Sequence, residues 1–303
     1  MKYAMHNWMR AEPIETTIER LGRCGYDAIE ISGEPSVWDT AEVQGLMDKH
    51  GVGCWGSVTL MTGGRDLLHE DTYVRRGSID YVKDTISQIA EWGGEIITIV
   101  PSTVGKVTPM GSAEDEWKWA VESLKECQAH AEKVGVRLGL EPLNRFETYF
   151  LNRADQAVQL AKDVGGNCGV TLDIFHMNIE EADWAQAIRD TGDYLVDFHV
   201  ADNNRMPCGQ GALDWEKLMR TLDEVGYDDY VTVEFVATVD RSRISQRTEI
   251  EDASEAGGSQ GMEQFLRDHG TGAVPGSMYD RYTQDSIDVL RRAASAVGEG
   301  SAV

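Results

Sequence analysis

Four short apolar runs in the second half of the chain decide the fold: RLGLEPL (137–143), GVTLDIF (169–175), LVDFHVAD (195–202) and YVTVEFV (230–236). Each is rich in β-branched and large apolar residues, which is typical of a strand buried on both faces of a parallel sheet. Four similar runs precede them, at 3–8, 28–32, 53–60 and 96–100. The chain therefore carries eight candidate strands, and parallel neighbours require a crossover between them.

Amphipathic stretches separate these runs and predict the crossovers. In IETTIERLGRCG (14–25) the apolar residues recur at helical spacing, and Gly25 offers a stop at the end. The stretch EDEWKWAVESLKECQAHAEKVG (114–135) shows the same pattern, with apolar residues at helical spacing and Gly135 at its end. Eight strand–helix units predict a (β/α)8 TIM barrel, a fold that typically takes about 250 residues. A doubly wound open sheet is the alternative, but no G-x-G-x-x-G motif follows the first strand.

The segment 237–277 breaks the repeating pattern. It is rich in charged residues, Ser and Gly, and lies between the eighth strand and a final helix predicted over 279–294. We predict an insertion there, either a solvated surface loop with a short helix over 262–268 or a lid above the C-terminal face of the barrel. The whole chain, 1–303, is predicted to be one domain, and 295–303 a flexible tail.

Composition excludes several function classes. The chain has 28 Lys and Arg against 52 Asp and Glu, a net charge of −24, which disfavours nucleic-acid binding. No apolar run approaches the roughly 20 residues of a membrane helix, and no signal peptide is recognisable. The five cysteines are scattered and form no C-x-x-C pair, which indicates reduced thiols and a cytoplasmic location.

Polar residues stand at the C-terminal ends of the last four strands. They are Glu141, Asp173, His199 and Glu234, spaced by about one strand–helix unit. All four should therefore meet at one rim of the barrel. Three carboxylates meeting there would repel one another unless a cation neutralises them, and one imidazole with three carboxylates suits Mn²⁺, Mg²⁺ or Co²⁺. For any one of these carboxylates alone, a structural ion pair or a solvated strand end is the alternative.

The motifs around these residues resemble those of xylose-isomerase-like TIM barrels, of the D-tagatose 3-epimerase type. The resemblance runs from residue 1 to about 236 and is carried by five segments: EPLNRFETYF (141–150), LDIFHMN (172–178), HVADNNR (199–205), PCGQGALDW (207–215) and VEF (233–235). It implies that the four rim residues bind one divalent metal, usually Mn²⁺ with Mg²⁺ or Co²⁺ as substitutes. It also implies that Glu141 and Glu234 are the acid/base pair.

Further site residues follow from the resemblance and from the first strand. The resemblance implies that His176, Arg205 and Glu147 bind the substrate's oxygens. His6 and Trp8 end the first strand, where aromatic rings commonly stack on sugars; both residue types are also ordinary in a barrel core. Asp202 could orient Arg205 or cap the loop.

The leading functional hypothesis is a divalent-metal-dependent epimerase or isomerase that removes a proton next to the carbonyl of a keto sugar and stabilises the enediolate. The alternative is a lyase, similar to C-glycoside deglycosidase catalytic subunits, that cleaves 3-oxo-glycosides by β-elimination and works with a small partner subunit. Dehydration of a cyclic ketone and sugar binding without catalysis are further alternatives. An abasic-site nuclease is disfavoured by the acidic charge and by only seven histidines. Barrels of this type are usually homo-oligomers.

Overall fold

The computed structural model describes residues 1–10, 12–237 and 274–300. Eight parallel strands form a closed barrel in which each strand pairs with the next along the chain and the last pairs with the first. The strands are β1 (Lys2–His6), β2 (Ala28–Gly33), β3 (Gly53–Thr59), β4 (Ile96–Ile99), β5 (Arg137–Leu140), β6 (Gly169–Asp173), β7 (Leu195–Val200) and β8 (Tyr230–Val233). The predicted TIM barrel is confirmed.

Helices surround the barrel and supply the crossovers. They are α1 (Ile14–Cys24), α2 (Thr40–His50), α3 (Thr72–Glu91), α4 (Ala113–Val134), α5 (Ala154–Val164), α6 (Ile174–Glu180), α7 (Trp184–Thr191), α8 (Trp215–Glu224) and α9 (Gly276–Gly300). Their ends follow local chemistry. Asp214, for example, caps α8 by accepting a hydrogen bond from the Lys217 N–H, and Gly25 ends α1 with a φ of 79° in the left-handed region.

The final helix is longer than the sequence indicates. It starts at Gly276 and continues to Gly300, so 295–300 are helical where we predicted a flexible tail. The physical reason is that Ala293 and Val297 are buried, which extends the apolar face of α9 as it packs against α1 and α8. The short helix predicted over 262–268 lies outside the described residues, as does most of the predicted insertion.

The cysteines and the hydropathy of the helices were both considered from the sequence. All five cysteines are free, as predicted from their scattered positions. None of the helices within the described ranges has the length of apolar sequence that crossing a bilayer requires.

The barrel interior changes from apolar to polar along the strands. Near the N-terminal ends an apolar cluster fills it, made of Ala4, Ala28, Trp55, Ile96 and Val196. The next inward positions carry fully buried polar side chains: Glu30, Thr98, Thr171, Asp197 and Thr232. An irregularity in β7 turns both Val196 and Asp197 inward. Beyond it inward and outward residues alternate, so the following inward positions lie at the C-terminal rim. A polar interior thus leads directly to the candidate site.

Gly56 lies where two neighbouring strands pack too closely for a side chain, which gives a testable prediction. A Cβ at Gly56 would collide with the backbone oxygen of Ile96 on the neighbouring strand. We expect Gly56→Ala to lower the free energy of unfolding by about 2 kcal/mol, because a backbone atom must move to accept the methyl group. Gly77→Ala is the control: it lies on the exposed face of α3 with open space around it, and should stabilise by about 0.5–1 kcal/mol. Urea denaturation of both variants checks this, and equal effects would contradict it.

Candidate functional site

The four predicted rim residues converge at the C-terminal end of the barrel. Asp173 is the last residue of β6, His199 lies in β7, and Glu141 and Glu234 directly follow β5 and β8. All four are buried, and one potential ligand atom from each lies within 4.8 Å of the others. The barrel therefore brings together four polar side chains that are far apart in the sequence, because each stands at or near the end of its strand.

The imidazole of His199 stands between two of the carboxylates. Its Nδ1 is 3.1 Å from Oε2 of Glu234 and 3.4 Å from Oε1 of Glu141. Burial would lower the pKa of His199, but the neighbouring carboxylates of Glu30 and Asp197 outweigh burial and hold it well above its ordinary value. The cluster thus concentrates negative charge around this ring.

The two glutamates experience opposite environments. Burial raises the pKa of Glu141. Burial also acts to raise the pKa of Glu234, but the Arg205 guanidinium and His6 outweigh it, and the pKa lies well below its ordinary value. Two carboxyl groups whose environments separate their pKa values are typical of sites that perform proton transfer.

The residues present fit a divalent cation. Nδ1 of His199 and Oε2 of Glu234 are buried and make no hydrogen bond within the described part of the chain. Buried polar atoms without partners are costly, and here both face the same cluster of carboxylates. Three carboxylates and one imidazole form a donor set that suits Mn²⁺, Mg²⁺ or Co²⁺.

Arg205 is the cation that the chain itself contributes. Its guanidinium forms ion pairs with Asp173 and with Glu234, the latter at 2.6 Å, and its Cζ lies 4.7 Å from the centre of the Phe175 ring. The backbone of Arg205 has a φ of 63°, in the left-handed region that non-glycine residues rarely adopt. Such strain persists only where the surroundings enforce it, and it is common at functional sites.

The loop around Arg205 is held by Asp202. The buried Asp202 carboxylate accepts hydrogen bonds from the backbone N–H groups of Gly209 and Leu213, while its backbone oxygen accepts the Arg205 N–H at 2.8 Å. Of the two roles considered from the sequence, the contacts therefore favour the loop cap.

His176 and Glu147 are joined through Asn144. Nδ1 of His176 accepts the backbone N–H of Asn144 at 3.2 Å, which leaves the proton on Nε2, 3.6 Å from Asp173. The Asn144 side-chain amide donates to Oε1 of Glu147 at 2.7 Å. Asn144 was not identified from the sequence, because it lies inside the EPLNRFETYF segment without a charge to mark it.

A cavity opens above this cluster. One wall is polar and carries Glu141, Glu147, His176, Arg205 and Glu234. The rest is largely apolar, formed by Val58, Leu60, Met61, Val100, Val104 and Leu143, and Trp8 also lines it. A largely apolar lining with a few convergent polar groups is typical of a small-molecule site.

The two residues predicted from the first strand lie in different places. The structure ends β1 at His6, so Trp8 lies in the turn beyond it and reaches the cavity. His6 is fully buried behind Glu234, with Nε2 3.5 Å from Oε2 of that residue. Trp8 can therefore contact a molecule bound in the cavity, whereas His6 contacts Glu234 of the rim cluster.

Two buried carboxylates below the cluster, those of Asp197 and Glu30, were also not identified from the sequence. Nε2 of His199 lies 2.9 Å from Oδ2 of Asp197 and 3.3 Å from Oε2 of Glu30. The signal was available, because each is a charged residue inside an otherwise apolar strand. It is the same signal that singled out the rim residues.

Comparison with known proteins identifies the family to which this barrel belongs. A family model described as xylose isomerase-like TIM barrel matches residues 18–268. The chain belongs to this family. Among curated relatives, it is 31% identical over 230 residues to a D-psicose 3-epimerase of Ruminiclostridium cellulolyticum, covering 72% of this chain and 76% of that protein. It is also 32% identical over 220 residues to a 3-dehydro-D-guloside 4-epimerase of Escherichia coli, covering 69% and 82%.

Solved structures in this family superpose closely on the chain. A D-psicose 3-epimerase from Clostridium cellulolyticum, crystallised with D-tagatose, matches with a TM-score of 0.81 at 25% identity. The match covers 97% of this chain and 99% of that one. The resemblance found from the sequence motifs is confirmed, and the chain is related to sugar epimerases.

Proposed function

We propose that the protein epimerises a keto sugar by moving a proton at the carbon next to its carbonyl, with a divalent metal bound at the rim. The observation that carries this proposal is that Glu141, Asp173, His199 and Glu234 meet in a buried cluster beneath a cavity lined by polar and apolar side chains. The relationship to ketose 3-epimerases supports the substrate class.

The same four residues would hold the cation, and Mn²⁺ is the proposed occupant with Mg²⁺ or Co²⁺ as substitutes. When bound, such an ion supplies Lewis acidity that stabilises negative charge on the substrate's oxygens. The oxygen-rich donor set supports this choice over a metal that prefers thiolates.

Glu141 and Glu234 are proposed to move the proton. Both line the cavity, so one carboxylate can take the proton from carbon while the other returns one to the opposite face. Arg205 adds a fixed positive charge beside Glu234 that favours an enediolate over the neutral ketone.

The remaining polar residues are proposed to orient the sugar. His176 presents Nε2–H, because Asn144 occupies its other nitrogen, and Glu147 lies on the same polar wall. These groups offer one donor and one acceptor to adjacent hydroxyls. Holding the reacting carbon in place accounts for a large share of the rate in such reactions.

Trp8 is proposed to cover one face of the sugar ring. We expect Trp8→Ala to raise KM about tenfold with a smaller change in kcat, because a stacking surface contributes binding rather than proton transfer. Trp8→Phe keeps an aromatic face and should recover most of the loss. Steady-state kinetics with the preferred ketose checks this, and an unchanged KM in the alanine variant would remove Trp8 from the site.

A second candidate is 4-epimerisation of an oxidised glycoside. The 32% identity to the 3-dehydro-D-guloside 4-epimerase favours it, and the apolar wall around Leu60 and Leu143 could receive an aglycone. The chemistry at the metal-binding cluster would be the same proton transfer. The relatives described above are epimerases by name and do not support the β-elimination considered from the sequence.

One experiment distinguishes these candidates. The purified protein with Mn²⁺ is incubated in deuterated water with a panel of free ketoses and 3-oxo-glycosides, and products are followed by NMR. Deuterium at C3 of a ketose, together with its epimer, supports the first candidate; deuterium at C4 of a 3-oxo-glycoside supports the second. Absence of exchange in every substrate would overturn both.

The predicted homo-oligomer, small second subunit and cytoplasmic location stay predictions.

A further inference from the structure

The two nitrogens of His199 face different surroundings. Nδ1 faces the carboxylates of Glu141 and Glu234, where the proposed metal would bind. Nε2 points down the barrel to Asp197, at 2.9 Å. An imidazole can bind a metal through Nδ1 only if that nitrogen carries no proton, so the proton must stay on Nε2.

The Asp197 carboxylate is fixed by other donors on both of its oxygens. Oδ1 accepts the indole N–H of Trp55 at 3.0 Å and the backbone N–H of Phe198 at 2.9 Å. Oδ2 accepts the Thr98 hydroxyl at 3.2 Å in addition to Nε2–H of His199. Asp197 is completely buried.

We propose that Asp197 is the positioning residue of the metal site: its Oδ2 holds the His199 proton on Nε2 and thereby turns a bare Nδ1 toward the cation. This inference rests on the proposed function, since it concerns the same cluster. Ligating histidines commonly donate their second N–H to a carboxylate, and loss of that partner typically costs about 10- to 100-fold in metal affinity.

The hydrogen-bond pattern predicts an unusual consequence of Asp197→Asn. Neither the Trp55 indole nor the Phe198 backbone N–H can accept a hydrogen bond, so the amide oxygen must stay at the Oδ1 position. The amide NH₂ then faces Nε2 of His199. Two donors cannot share a hydrogen bond, so the imidazole proton should move to Nδ1 and block coordination there.

Glu30 provides a matched control. Its carboxylate is fully buried, 3.3 Å from Nε2 of His199, but it accepts no hydrogen bond among the described residues. Glu30→Gln and Asp197→Asn each remove one buried negative charge beside the same ring. The difference between them therefore isolates the hydrogen bond from the charge.

Mn²⁺ affinity is measured by electron paramagnetic resonance for the wild type and three variants: Asp197→Asn, Asp197→Ala and Glu30→Gln. We expect Asp197→Asn to weaken binding about tenfold more than Glu30→Gln. Asp197→Ala should bind more tightly than Asp197→Asn, because alanine puts no donor beside Nε2 and the metal can select the tautomer. A merely structural role predicts the reverse order, since alanine removes all four hydrogen bonds.

Long-range ¹H–¹⁵N spectra of histidine-labelled, Mg²⁺-saturated protein read the tautomer directly, with His199→Gln used for assignment. We expect Nε2–H in the wild type and Nδ1–H in Asp197→Asn. If Asp197→Asn does not fold, the same spectra are recorded for metal-free Asp197→Ala in alkaline buffer. We expect a mixture of the two His199 tautomers in that variant. Retention of Nε2–H in the folded variants, or Mn²⁺ affinity equal in Asp197→Asn and Glu30→Gln, overturns the inference. Failure of the wild type to bind Mn²⁺ overturns the proposed function instead.

Discussion

Replacing Glu234 with glutamine is expected to lower kcat for ketose epimerisation by about 10³-fold. The side chain is proposed both to hold the metal and to move a proton, and an amide cannot accept a proton from carbon. Arg205 keeps its ion pair with Asp173 in this variant, so the loss of rate reports on the Glu234 carboxylate itself. Single-turnover kinetics in saturating Mn²⁺ separates loss of chemistry from loss of metal.

The control for this prediction is Glu122→Gln. Glu122 is exposed on α4 and forms an ion pair with Lys118 at 4.0 Å, so the substitution removes one negative charge that is not part of the rim cluster. Its kcat should equal that of the wild type. If Glu234→Gln retains more than about a tenth of wild-type turnover with Mn²⁺ bound, Glu234 is not a proton-transfer residue.

Removal of divalent cations is expected to abolish turnover and to lower the melting temperature. Glu141, Asp173 and Glu234 are buried together, and a bound cation stabilises the folded chain because the unfolded chain offers no such site. At 100 times its dissociation constant a ligand contributes about 2.7 kcal/mol, which corresponds to several degrees in a protein of this size. Calorimetry of the chelator-treated protein with and without Mn²⁺ measures the shift.

Asp173→Asn gives the comparison for the metal effect. It removes one proposed ligand and should show little rise in melting temperature when Mn²⁺ is added, whereas Glu122→Gln should respond like the wild type. Turnover that survives exhaustive chelation would contradict the metal-dependent account, as would a melting temperature that Mn²⁺ leaves unchanged.

The main features of the fold follow from the sequence because each strand is a local signal. Runs such as IITIV and GVTLDIF can be identified by their apolar composition alone, and a polar residue near the end of each of the last four runs marks the rim. Since strands of a barrel lie in chain order, four marked residues one unit apart had to come together. The cluster could therefore be predicted without any long-range information.

Other parts of the site depend on the register between strands, which no single segment specifies. His6 and Trp8 are two residues apart, yet β1 ends between them, so one is buried behind Glu234 and the other reaches the cavity. Asp197 and Thr98 meet across the barrel although 99 residues separate them. Such pairs depend on how far each strand is shifted against its neighbours as the barrel closes.

The C-terminal end of α9 could not be predicted from the sequence for a different reason. Its C-terminal turns carry Gly and Ser, whose helix propensity is low, so the sequence alone indicates a frayed end. Packing of Val297 overrides that propensity. Tertiary contacts of this kind cannot be read from composition.

The most direct test of the central claim is an anomalous difference map, recorded at the manganese absorption edge, from crystals grown with Mn²⁺. We expect one strong peak per chain at the barrel rim, within bonding distance of Glu141, Asp173, Nδ1 of His199 and Glu234. A rim without a peak, or a manganese ion bound by other residues, would contradict it.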